Sequence, residues 1–224
     1  MALEAVVFDF DGLIIDSEWV IFETAVVAFA AHGHRLTVEA WSTIVGTNDE
    51  HHPDRWARLC AACGVEGFDR ADYEAAYDAQ DRSNRDDLPA LPGVVGLVTE
   101  LSTAGVPLGI ASSSSRGWLD RHVHRLGLAH HFSTLVGADL VGGVGKPAPD
   151  VYLKACADLG ADPSRSVALE DSAHGATAAK AAGMTVIAVP SQITRHNDLS
   201  HADLCVGSLT ELDLAQVAAL VDAP

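Results

Sequence analysis

Six short apolar runs constrain the fold of this chain more than any other feature. They are Leu3–Phe10 (LEAVVFDF), Val106–Ser113 (VPLGIASS), His131–Asp139 (HFSTLVGAD), Ser166–Asp171 (SVALED), Met184–Pro190 (MTVIAVP) and Ala202–Gly207 (ADLCVG). Their apolar residues are continuous rather than alternating, which is the pattern of parallel strands covered on both faces. Helical patterns separate most of them. SRGWLDRHVHRLG follows a serine run, sets Leu119, Val123 and Leu126 on one face and stops at Gly127. PDVYLKACADLG places Val151, Ala155 and Leu159 at i, i+4 and i+8 and stops at Gly160. Strand and helix alternating in this way predict an α/β fold with a doubly wound parallel sheet.

One interval breaks the rhythm. Between the first two runs, from Ser17 to Asp87, the sequence reads as several helices, and about 70 residues is too long for a simple crossover. The expected organisation is therefore an α/β core made of residues 1–16 and 88–224, with residues 17–87 inserted as a helical domain. A length of 224 residues, 48% hydrophobic and 20% charged, is ample for such a core. Trp19–Ala31 is apolar but holds Glu23 and is too short to span a bilayer. The N-terminus lacks a signal-peptide pattern, so a cytoplasmic protein is expected.

The net charge of -17 disfavours nucleic acid and anionic membranes as partners, since no Lys or Arg stripe offsets it. Nothing in the sequence asks for more than a monomer. Cys60 and Cys63 form a C-x-x-C, but they lie in RWARLCAACG, a helix ending at Gly64, with no second pair at zinc spacing. Two ordinary helical cysteines are expected.

In open α/β sheets, ligands bind beyond the carboxyl ends of the strands. The first run ends in Asp9-Phe10-Asp11, the second in Ser112-Ser113-Ser114 and the fourth in Glu170-Asp171-Ser172; the loop after the third carries Lys146 in GGVGKPAPD. These groups would face one crevice. Like charges beside a buried strand raise each other's cost of ionising, so the acids call for a divalent cation among them. Mg2+ favours such hard oxygen ligands and keeps waters and a phosphate as its other partners. The paired aspartates can then divide the labour. One carboxylate attacks phosphorus to form an acyl phosphate, and the other protonates the departing oxygen before activating water. Mg2+ and Lys146 screen the repulsion between nucleophile and phosphoryl group, while the Ser112 hydroxyl and nearby N–H groups suit its oxygens.

Four segments in order, DFDGLIIDS, IASSSS, GKPAPDVY and LEDSAHGATAAKAAGM, resemble the motifs of the haloacid dehalogenase-like hydrolases. The likeness is to the group with a helical cap after the first strand, near the β-phosphoglucomutase-like phosphatases, and it covers essentially the whole chain. It implies Asp9 as nucleophile, Asp11 as acid/base, Ser112 and Ser113 as phosphate-binding residues, and Lys146 as charge-balancing group. Asp171 matches the metal ligand, with Glu170 beside it, and the metal is also held by the Asp9 carboxylate and the Asp11 backbone carbonyl. Dehalogenases lack an acid at the position of Asp11, so phosphate chemistry is expected. The substrate class implied is a small-molecule phosphate ester, such as a sugar or polyol phosphate.

Ile44–Trp56 is the expected specificity loop, with Thr47 and Asn48 as substrate contacts. Phosphoglucomutase relatives carry a basic residue where Asp49 stands, with Arg55 a nearby substitute here, and, like many of the phosphatases, a histidine where Val20 and Ile21 stand; both departures weaken the phosphosugar mutase reading in favour of a phosphatase. A phospho-accepting receiver domain is a remoter alternative, being about half this length and lacking the cap. A phosphate-loop reading of GGVGK fails, because Leu140 replaces the leading glycine and Pro147 the Ser/Thr. Trp19, Phe22, Trp41 and Trp56 are expected in the cap interior, Ser115 as a helix cap, and most of the eleven histidines at the surface.

Overall fold

The structure, a computed structural model, describes residues 3–45, 54–65, 71, 73–75 and 87–221. The expected doubly wound sheet is present. Six strands, β1 (Ala5–Phe8), β2 (Leu108–Ala111), β3 (Thr134–Val136), β4 (Ser166–Glu170), β5 (Thr185–Ala188) and β6 (Leu204–Cys205), all pair in parallel in the order β3-β2-β1-β4-β5-β6. The chain winds outward one way from β1 through β2 and β3, and the other way from β4. The switch point therefore lies at β1 and β4, where such sheets open a crevice.

Neighbouring side chains along each strand serve opposite faces. Val6, Phe8, Leu108, Ile110, Leu135, Val167, Leu169 and Ile187 join one apolar cluster. It is covered by α4 (Val94–Thr103), α5 (Arg116–Arg125) and α8 (Leu214–Val221). Val7, Ala111, Val136, Ala168, Val186 and Ala188 join the other, under α6 (Asp150–Leu159) and α7 (Ala173–Ala181). The second face is rich in alanine, including Ala176, Ala178 and Ala179 of α7. That lets α7 lie close to the sheet and hold the end of β4 firmly.

Between β1 and α4 the described residues form α1 (Ser17–Ala31), α2 (Val38–Ser42) and α3 (Arg55–Cys63). Asp16 and Thr37 accept from the N–H groups of Trp19 and Ala40 to start α1 and α2, and α3 stops at Gly64 in the left-handed conformation. These helices share a cluster of their own, built around Phe22, Phe29, Trp41, Ile44 and Leu59, with Trp19 and Trp56 partly buried against it. Ile193, from the loop after β5, is fully buried in the same cluster. Beside it Asn197 Nδ2 donates to the Ser42 carbonyl at 3.4 Å. No helix of the described residues is long and apolar enough to cross a membrane.

Candidate active site

Register puts the site together. Phe8 is level with Ile110 on one side and Leu169 on the other, so Asp9, Ser112 and Glu170 leave their strands at nearly the same height. Asp9 is buried, its N–H donating to the Leu169 carbonyl at 2.9 Å. Lys146 arrives from the loop after β3, its backbone N–H donating to Ser113 Oγ at 3.1 Å. Its side chain is 2% exposed, and Nζ donates to both Asp9 Oδ1 and Glu170 Oε1. Tyr152 of α6 donates its hydroxyl to the same Glu170 oxygen at 2.6 Å. The other oxygen, Oε2, takes the N–H groups of Asp171 and Ser172 at 3.1 and 3.3 Å and the Ser172 hydroxyl at 3.3 Å. With both oxygens engaged, Glu170 anchors the lysine at the bottom of the crevice.

Two glycines make room for these acids. Gly12 sits at φ +96°, a region that disfavours L side chains, and a Cβ there would lie 2.3 Å from Asp171 Oδ2. A Cβ on Gly175 would fall 2.0 Å from the Glu170 carboxylate. Thr194, next to the buried Ile193, donates Oγ1 to Asp171 Oδ2 at 3.2 Å.

Electrostatics at this point are dominated by burial. The Asp9 carboxyl is pushed up to about 8 by desolvation, against the pull of Lys146 and with Glu170 adding to the push. Asp171 is raised well above the carboxylate range by burial and then by the charges of Asp9 and Glu170. Lys146 is held firmly cationic by Asp9 and Glu170 in spite of its burial. One lysine faces three buried acids, and Asp9, Glu170 and Asp171 each offer a carboxylate oxygen within 4.8 Å of the others. That oxygen set, short of positive charge, suits a divalent cation.

Asp11 stands apart from this trio. Its Oδ1 accepts from Ser17 Oγ at 2.6 Å and Trp118 Nε1 at 3.0 Å, and its Oδ2 from Ser114 Oγ at 2.6 Å and Ser112 Oγ at 3.3 Å. The expected residues Asp9, Asp11, Ser112, Lys146, Glu170 and Asp171 are thus brought to one crevice. Ser113 is turned to the lysine loop. Thr47 and Asn48 lie outside the described residues, as does most of the expected specificity loop. Ser114, expected at the end of the second run, is also present, and Tyr152, Trp118, Ser17 and Thr194 complete the surroundings without having been singled out in the sequence. His122, one of the histidines weighed for the surface, is instead fully buried, its ring 4.0 Å from that of Trp118.

The family model for haloacid dehalogenase-like hydrolases matches residues 6–189, a span that contains every one of these strand ends. The chain belongs to the haloacid dehalogenase-like hydrolases. Within the family it is similar to YhcW of Bacillus subtilis, with 32% identity over 213 residues that cover 95% of both chains. It is also 34% identical to hexitol phosphatase B of Escherichia coli K12 over 212 residues, 93% of each. Among solved structures, CbbY of Rhodobacter sphaeroides in complex with xylulose-(1,5)bisphosphate aligns with a TM-score of 0.75 and 28% identity, covering 97% of this chain and 99% of that one. As a member of this hydrolase family the chain places its acids at the same strand ends from which the sequence motifs were read.

Proposed function

We propose that this hydrolase is a Mg2+-dependent phosphatase of small phosphorylated metabolites, sugar or polyol phosphates in particular, and that Asp9 carries the phosphoryl group between two half-reactions. The observation that carries the reading is the buried Lys146 ammonium bridging Asp9 and Glu170, with Asp171 at the same spot. Hexitol phosphatase B and the CbbY complex support a phosphorylated polyol or ketose as the substrate class.

Lys146 holds Oδ1 of Asp9, which leaves Oδ2 to attack phosphorus as the bond from phosphorus to the ester oxygen breaks. Asp11 gives its proton to that oxygen, so an alcohol departs. The same carboxylate then takes a proton from water, whose oxygen attacks phosphorus and breaks the acyl phosphate bond. Inorganic phosphate leaves and both aspartates are restored. The Ser112 hydroxyl and Lys146 bind the phosphoryl oxygens. Mg2+ would be held by the carboxylates of Asp9 and Asp171 and the Asp11 carbonyl, and would supply the positive charge that lets Asp9 act as an anion at neutral pH. Glu170 keeps Lys146 in place, and residues 17–87 act as a cap that encloses the substrate and excludes water.

The test is turnover of p-nitrophenyl phosphate with Mg2+, with EDTA and after Mg2+ is restored, followed by phosphate release from a panel of hexitol, pentitol and ketose phosphates. Multiple turnovers that vanish in EDTA and return with Mg2+ are expected. Turnover indifferent to EDTA would remove the cation from the scheme. A panel in which a sugar 1-phosphate becomes a 6-phosphate without phosphate release would make the chain a mutase.

A further inference from the structure

The four donors on Asp11 differ in kind. The two on Oδ2 are the hydroxyls of Ser112 and Ser114, and a hydroxyl can swing about its own bond to another acceptor. One of the two on Oδ1 is the indole N–H of Trp118, whose direction is set by the ring plane. That ring is itself held. Ser115 accepts the Trp118 backbone N–H at the start of α5, the indole packs 4.0 Å from the buried His122 ring, and the Arg121 guanidinium lies 5.6 Å from its centroid. His122 in turn packs against Phe10, the residue between the two aspartates, at 6.3 Å.

We infer that Trp118 is a positioning residue for proton transfer. This rests on the acid/base role given to Asp11 above. The indole N–H and the Ser17 hydroxyl pin Oδ1, and Oδ2 is the oxygen that moves the proton. When a phosphoryl group engages the serines at the end of β2, their hydroxyls turn to it and leave Oδ2 clear. The rigid donor keeps Oδ1 where it was, so the carboxyl does not swing away with them. The proton then passes from Oδ2 to the ester oxygen as its bond to phosphorus breaks, and Oδ2 recovers a proton from the attacking water.

The experiment compares kcat/KM for phenyl phosphate and p-nitrophenyl phosphate with Mg2+ present. The two esters differ only in a para nitro group, but only phenolate needs a proton in order to leave well, and kcat/KM excludes the later hydrolysis of the acyl phosphate. Asp11→Asn calibrates the assay with a loss of about 100-fold or more on phenyl phosphate and a much smaller one on the nitro ester. Trp118→Phe, which keeps the ring against His122, is expected to lose about tenfold on phenyl phosphate and less than about threefold on the nitro ester. Equal losses on both esters, or none on either, while Asp11→Asn still discriminates, overturn the role of Trp118 alone. If Asp11→Asn itself does not discriminate, the acid role falls and the inference falls with it. Should Trp118→Phe melt far below the parent, benzothienylalanine at position 118 keeps the bicyclic volume without the donor, and the same ratio decides.

Discussion

The crevice at the strand ends and the interior of the helical segment are both buried, and they are held by opposite means. Around Asp9, Glu170 and Asp171 the contacts are hydrogen bonds and an ion pair among ionisable groups. Around Trp41 the contacts are aromatic and aliphatic, with the rings of Phe22, Trp56 and Tyr73 within 6.3 Å. Chemistry built of charges is intolerant of small changes but adds little to stability, because desolvation consumes most of the attraction. Apolar packing does the reverse. The difference teaches that a substitution can be sorted by which quantity it moves, rate or stability.

The sharpest test of that division is Asp9→Asn. It should lower turnover of p-nitrophenyl phosphate by a factor on the order of 10⁴ or more, since the attacking atom is lost, while circular dichroism and melting show a folded protein. A folded Asp9→Asn variant with near-parental rates would break the comparison at its charged end. Trp41→Ala attacks the other end. It should cost about 3–5 kcal/mol in denaturant unfolding, while kcat of the remaining folded protein on the same ester changes by less than about threefold. A rate loss as deep as that of Asp9→Asn would show that the aromatic interior takes part in the chemistry.

Tyr152→Phe probes the seam between the two classes, because its hydroxyl is buried and bound to an ion. Removing that donor should cost about 1.5–3 kcal/mol in unfolding, with a few-fold weaker response to added Mg2+ in the turnover assay. No change in stability would mean that Lys146 satisfies that Glu170 oxygen unaided. The smallest expected effect is a pH trend. In EDTA the folded state binds the Asp9 proton up to about pH 8, whereas the unfolded chain releases it near 3.8. Stability from this group is therefore full below about 4 and is lost as pH rises to about 8. The melting midpoint in EDTA should fall as pH rises across that window. The fall should shrink in Asp9→Asn and be offset by Mg2+. A midpoint that rises through the window would reverse the sign and refute the burial argument.

What could be read in the sequence was what the sheet forces. Asp9, Ser112, Glu170 and Asp171 each follow an apolar run directly, so the parallel register alone brings them to one edge. Lys146 was legible because its loop had to cross that edge. Tyr152 was not, since it sits one residue from Val151 on a helix whose i, i+4, i+8 pattern described only the packed face. Trp118 and His122 were obscured differently. His122 is three residues after Leu119 and one before Val123, both buried on α5, so its place on the apolar face was available from spacing, but the histidines were read together as mostly surface residues. Thr194 could not be found locally, because its partner Asp171 lies 23 residues away and the two meet only through the fold; Ser17, six residues from its partner Asp11, bonds across a loop whose shape the sequence alone did not fix. Substrate contacts from Thr47 and Asn48 remain an expectation of the sequence.

Ile193 and Thr194 are consecutive, yet one is sunk among the helices and the other grips Asp171. A single peptide unit therefore joins the helical cluster to the acid at the strand ends. If the helices tilt as they shut over a guest, the first residue travels with them and the second tugs the acid beneath it, so enclosure and readiness would be geared together without any messenger beyond two neighbouring side chains.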